Sequence, residues 1–185
     1  MADIVFIYTD ESCLGNQFKD RDSPGGAGGL IEYWAGEWLR RDYWISEPAT
    51  TNNRMAIRSA TEGLYALKRP CNVDFTSDSQ YLVKGMSEWI YGWIRNDWRR
   101  KDGDIPNADL WQDLIEAARP HTIEWKWVRG HAGHPQNEYA NILATTAAKT
   151  QTESDGLVES GFEAWLEKER KKKRYLDFRE HDAPD

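Results

Sequence analysis

Two aspartates, Asp10 and Asp78, each stand where a run of apolar and β-branched residues gives way to turn-forming ones. At the carboxyl ends of neighbouring parallel strands, such side chains converge on one edge of a sheet, where ligands of open α/β sheets bind. Carboxylate oxygens suit hard divalent cations such as Mg²⁺, which take one or two of them and fill the remaining shell with water and substrate phosphate. An aspartate at a strand-to-turn junction also serves simply to satisfy backbone N–H groups. Taken singly, either aspartate has that plainer reading, and its surroundings decide the matter.

The elements that must position these residues follow from periodicity. Residues 3–9 (Asp-Ile-Val-Phe-Ile-Tyr-Thr) predict a strand that ends in a polar turn, Asp10–Asn16, followed by a loop over 17–26. Gly28–Tyr33 and Glu37–Ile45 predict an antiparallel hairpin, with Trp38, Arg40, Asp42 and Trp44 on one face of its second strand. Thr50–Asn53 can cap a helix whose apolar spacing runs from Met55 to Leu67, with Pro70 as its stop. A short buried strand, Val73–Thr76, leads into Asp78. Residues 80–95 predict one helix, or two broken near Gly85, and a polar loop over 96–108 precedes a helix at Asp109–Ala118. The strand Thr122–Val128, a glycine-bearing loop at Gly130–Pro135 and a helix of small residues at 136–149 complete the order βββαβααβα. That order implies an α/β fold with a five-stranded mixed sheet flanked by helices.

The 185 residues, 39% of them hydrophobic, suit one domain with an ordinary core. That domain is expected over 1–149. A C-terminal extension over 150–185 divides into a linker at Thr150–Asp155, a helix over 159–174 and a disordered acidic tail. No apolar run is long enough to cross a membrane and no leader pattern opens the chain, so a cytoplasmic protein without a membrane partner is expected. Cys13 and Cys71 read as reduced buried thiols. The net charge of −7 argues against nucleic-acid binding as a global sum. However, Arg95, Arg99, Arg100 and Lys101 cluster among tryptophans, and a phosphate backbone meets the local field.

Four segments carry a specific resemblance. Thr9-Asp10-x-Ser12-Cys13-Leu14-Gly15-Asn16, Thr51-Asn52-Asn53-Arg54-Met55, Thr76-Ser77-Asp78-Ser79-Gln80-Tyr81 and Trp127–Pro135 (Trp-Val-Arg-Gly-His-Ala-Gly-His-Pro) resemble type I ribonucleases H in order and spacing. The resemblance spans residues 3–149 and implies the ribonuclease H fold and cleavage of the RNA strand of an RNA·DNA hybrid with Mg²⁺ or Mn²⁺. It assigns metal ligation to Asp10 and Asp78 and gives His131 a part in proton transfer or product departure. His134 takes the loop-closing place.

Two ligand positions depart from the family pattern. Where the family has a glutamate, this chain has Ala56; where it has its last aspartate, this chain has Asn141, which offers only a neutral oxygen. The family's glycine after the first aspartate is replaced by Glu11. Glu11 is therefore the candidate for the carboxylate that Ala56 lacks, although strand alternation sends neighbouring side chains to opposite faces and a solvated Glu11 is the equal alternative. Glu62 and Glu138 are poorer candidates, the latter lying one helical turn before Asn141.

Residues 84–101 resemble the family's basic protrusion, which holds the DNA strand. Arg99, Arg100 and Lys101 carry the claim on phosphates, with Trp93 and Trp98 beside them; Trp89 is expected in the core. By the same matching Asn16, Thr51, Asn52, Asn53 and Gln80 face the minor groove, which is recognised by shape and 2′-hydroxyls. The expected protein is a monomeric hybrid-directed endoribonuclease. The alternatives are a hybrid-binding module that has lost its chemistry and a domain recruited through its 150–185 tail.

Overall fold

Alternation along the first strand sets two layers. In the computed structural model, which describes residues 4–15, 22–130 and 133–184, β1 (Ile4–Cys13) buries Val5 and Ile7 on one face and turns Phe6 and Tyr8 to the other. β2 (Ser23–Trp34) and β3 (Trp38–Thr50) continue it as an antiparallel meander. After α1 (Asn52–Tyr65), β4 (Asn72–Ser77) pairs parallel to β1. Then come α2 (Gln80–Lys84), a π-helical turn (Gly85–Trp89), α3 (Ile90–Arg95) and a two-rung hairpin of β5 (Arg99–Arg100) and β6 (Gly103–Asp104). α4 (Ala108–Ala118), β7 (Thr122–Trp127), α5 (Pro135–Thr150), β8 (Val158–Glu159) and α6 (Phe162–Lys171) complete the chain. The main sheet has the order β7-β4-β1-β2-β3-β8. It is the mixed α/β sheet that the sequence predicts, with six strands rather than five because β8 pairs with Arg41 and Asp42 of β3.

One core lies between the sheet and α1 and α4, built on Ile7, Ile57, Leu64, Phe75, Trp111 and Leu114. On the other face α5 lies directly on β2. A Cβ on Gly28 would stand 2.5 Å from Leu143 Cβ and 2.8 Å from Ala140 O. Only glycine on the strand and alanine on the helix let the two backbones come this close. The same glycines mislead the sequence reading, which places 17–26 in a loop, whereas β2 already begins at Ser23.

Two other expected boundaries move, and the break expected near Gly85 is present. β1 does not stop at Thr9, because Asp10–Cys13 pair with Gly28–Gly25 of β2. α1 closes at Tyr65, five residues before Pro70, with Leu67 N–H donating to Leu64 O. The break expected near Gly85 is the π-helical turn, which adds a residue to the helical repeat and shifts the phase of α3 relative to α2.

The extension is packed rather than disordered. Phe162 and Leu166 join Leu30 and Tyr139 in a second core. Arg40, buried on β3, donates to Glu32 at 3.1 Å and to Glu163 at 2.9 Å, and also bonds Glu180. Its guanidinium lies 4.9 Å from the Phe162 ring centroid. The His181 ring stacks on Phe6 with centroids 3.7 Å apart, and its carbonyl accepts from Trp38 Nε1 at 2.9 Å. The basic run at Lys171–Arg174 is exposed but pairs with carboxylates: Lys172 and Arg174 each reach Glu169 at 2.7 Å.

Candidate metal centre and nucleic-acid groove

The register of β1 and β4 brings the first two carboxylates together. Their parallel pairing ends at Thr9 opposite Ser77, so Asp10 and Asp78 are the next residues on adjacent strands. Adjacent strands lie about 4.8 Å apart. Beyond Ser77 β4 has ended while β1 runs on, which leaves that side of β1 open. Glu11 uses the opening. Although alternation starts its side chain toward the other face, its carboxylate joins the pair, and ligand atoms of Asp10, Glu11 and Asp78 all lie within 4.8 Å of one another. Glu11 as a residue is only half-buried, yet its Oε2 is enclosed and has no hydrogen-bond partner among the described residues.

The electrostatics of this group are unfavourable without a cation. Burial and the neighbouring Asp78 carboxylate push Asp10 up to about 7, against the Glu11 N–H and Asn141 side chain that bond it. Burial, with Asp10 and Asp78 adjacent, pushes Glu11 well above the ordinary carboxylate range. Three converging carboxylates with one orphaned oxygen fit a divalent cation. Asn141 bonds Asp10 from α5, while its Oδ1 accepts from Thr145 at 3.1 Å. Ala56 is fully buried and offers no ligand.

Asp78 is held by its surroundings. Its carbonyl accepts from Trp127 Nε1 at 2.9 Å, and a Cβ on Gly130 would stand 2.6 Å from its Oδ2. The glycine loop thus passes against the carboxylate, a contact the sequence reading missed. His131 and Asn16 lie outside the described residues. His134 starts α5 without a side-chain cap bond.

The basic segment borders a groove of about 810 Å³ lined by Asn53, Tyr81, Trp89, Trp93, Arg99, Arg100 and Lys101, among others. The three cations are exposed and form no ion pair among the described residues. Trp89 departs from the core place expected of it, while Trp93 both packs on the core and lines the groove. Trp89 is 37% exposed, whereas Trp93 and Trp98 pack partly buried on the core, Trp93 with its centroid 5.2 Å from that of Trp111. The π-helical turn ends at Trp89 and accounts for the change of face. Thr51 caps α1, accepting from Arg54 N–H at 3.3 Å; Asn52 keeps a buried Oδ1 unpartnered, and Gln80 is exposed at the start of α2. Asn107 was not singled out by the sequence. Its Oδ1 accepts from Arg54 and its Nδ2 donates to Tyr81, each at 3.2 Å, which ties α1 to α2 across the groove. The one signal was an Asn just before a helix, and it adopts the left-handed conformation there with φ 59°.

Comparison with known proteins places these features. The RNase H family model matches residues 2–149. The curated Ribonuclease H of Chelativorans sp. (strain BNC1) is 50% identical over 141 residues, covering 76% of this chain and 82% of that protein. That of Sulfurovum sp. (strain NBC37-1) is 46% identical over 145 residues, covering 78% and 90%. Among solved structures, LC9-RNase H1, described as a type 1 RNase H with the type 2 active-site motif, superposes with a TM-score of 0.83 at 53% identity over 90% of this chain and 82% of that one. The PFV RNase H domain shares the fold, with a TM-score of 0.65 at 21% identity, over 81% of this chain and 97% of that one.

Proposed function

Because the chain belongs to the ribonuclease H family, we propose that it hydrolyses the RNA strand of an RNA·DNA hybrid endonucleolytically, with Mg²⁺ or Mn²⁺ held by Asp10, Glu11 and Asp78. The observation that carries this reading is the convergence of the three carboxylates within 4.8 Å of one another. Glu11 takes over the anionic place that Ala56 leaves vacant. LC9-RNase H1, a type 1 RNase H with the type 2 active-site motif, is a precedent for a type 1 scaffold with a different site.

The chain's own residues divide the work. Arg99, Arg100 and Lys101 hold backbone phosphates at the groove, where they displace counterions. Asn52, Asn53 and Gln80 face the hybrid's minor groove. Asp10, Glu11 and Asp78 hold the cations and orient the scissile phosphate's surroundings, with Asn141 as a neutral fourth group and His131 assisting proton movement. Bound divalent cations supply charge stabilisation of the attacking and leaving oxygens. No described helix is long and apolar enough to cross a membrane.

The test is cleavage of a labelled RNA·DNA hybrid with Mg²⁺ and Mn²⁺, beside Asp10→Asn. Cutting by the native chain and none by the variant is expected. Tight hybrid binding without cutting overturns the reading in favour of a binding module.

A further inference from the structure

The start of α5 carries Asn141 one turn after Glu138, and it begins at His134 with no side-chain cap bond. Its first turn is held instead from two sides. Inside, Asn137 Nδ2 donates to Thr9 O at 3.2 Å, in a buried contact beside Asp10. Outside, Glu138, whose side chain is 16% exposed, accepts from Arg174 Nη2 at 2.8 Å and from the Tyr175 hydroxyl. Arg174 is itself fixed by Glu169 at 2.7 Å, and the Tyr175 ring lies 5.6 Å from Trp165, which packs 5.5 Å from Tyr139 on α5. The outer hold is a clasp whose two arms, Arg174 and Tyr175, come from the extension, beyond the 2–149 family match.

We infer that Arg174 and Tyr175 are positioning residues for the carboxylate site, acting through Glu138 on the first turn of α5. The inference rests on the reading of Asp10, Glu11 and Asp78 as cation ligands. Residues three apart on a helix are neighbours, so the placement of Glu138 governs that of Asn141. The clasp does two things. It anchors a helix start that has no side-chain cap bond, and thereby holds Asn141 against Asp10. It also pairs the Glu138 carboxylate with a guanidinium and a hydroxyl, which fixes that side chain in one place. A site that has a neutral amide at this position depends on placement more than one with a charged ligand, because the amide contributes through geometry alone.

The experiment compares the native chain with Arg174→Ala, Tyr175→Phe, the double variant, Arg174→Lys and a control, Lys171→Ala, whose partner Glu167 lies outside the clasp. Mn²⁺ affinity is read by calorimetry, hybrid cleavage across a Mn²⁺ series, and unfolding temperature in EDTA. Expected is an Mn²⁺ affinity about tenfold weaker in the double variant. Half-maximal cleavage should shift alike, the KM for hybrid should not change, and Arg174→Lys should recover part of the loss. Tyr175→Phe removes one hydroxyl and keeps the test valid if the double variant folds poorly. Variants that bind Mn²⁺ like the native chain, whatever their unfolding temperature, overturn the inference while a cutting native chain keeps the ribonuclease reading. A native chain that binds Mn²⁺ without cutting, with affinity still lost in the variants, overturns that reading and leaves the inference. A native chain that takes up no Mn²⁺ overturns both.

Discussion

The backbone N–H of Glu11 donates to Asp10 Oδ1 at 2.7 Å, so the residue that adds a third carboxylate also orients the first. In Glu11→Gln that bond is kept and the charge is lost. Cleavage is expected to fall by at least about 100-fold, with hybrid affinity unchanged. Moving the carboxylate to α1 in Glu11→Gly/Ala56→Glu should regain part of the rate. Steady-state cleavage beside hybrid binding without metal checks both; an unaltered rate in Glu11→Gln removes Glu11 from the site.

Asp10 rises from an ordinary value of 3.8 to about 7 in the fold. Between those values the native state keeps a proton that the unfolded chain has released, so metal-free stability falls as pH rises through the window. The effect amounts to a few kcal/mol. Asp10→Asn should raise the unfolding temperature in EDTA near pH 8, and its advantage over the native chain should vanish toward pH 4. Because cations compete with that proton, Mn²⁺ affinity should climb over the same range.

At the groove, Arg99→Ala/Arg100→Ala/Lys101→Ala should raise the KM for hybrid and leave kcat in place. The slope of log KM against log salt should shrink by about 2–3, close to one per lost phosphate contact. A fall in kcat at unchanged KM would place these side chains at the chemistry instead.

The contact between Gly130 and Asp78 makes its own prediction. Gly130→Ala puts a carbon 2.6 Å from Asp78 Oδ2. The carboxylate must move, and activity should drop far more than stability. Calorimetric unfolding and cleavage rates measured on one preparation separate the two.

In the second core, Phe162→Ala should cost about 3–5 kcal/mol of stability. Arg40→Ala should cost a comparable amount by leaving buried Glu32 with only the His181 ring beside it, as breaking a buried pair costs about 3–5 kcal/mol. Denaturant titration checks each. A near-neutral Phe162→Ala means that the extension detaches readily in solution.

The segments that carry chemistry were legible because their residue types are tied to backbone geometry. Asp78 follows the end of β4, Asp10 stands where β1 loses its pairing with β4, Thr51 caps a helix and Gly130 sits in a turn. Glu11 was legible only as a composition, a carboxylate beside a carboxylate. Its convergence depends on β4 ending at Ser77 while β1 continues, and no local pattern shows where a partner strand stops. Trp89 was misplaced because a π-helical turn changes helical phase with no signature but Gly85. The tail was misread because its order comes from contacts far along the chain: His181 against Phe6, and Glu180 and Glu163 against Arg40. A charged, glycine-poor end looks unfolded until the buried arginine that recruits it is known.

β8 is only two residues long, yet with Ser154 N–H donating to Trp44 O at 3.0 Å it covers the middle of the outer side of β3, from Arg41 to Trp44. Unpaired strand borders are templates for self-association, and short capping strands and charges are the usual guards. This sheet uses one guard on each side: β8 closes β3, while β7 is fringed by Glu124 and Lys126. A chain cut at 150 would bare β3 to a second copy of itself, and light scattering should show it gathering into larger species while the full chain stays single.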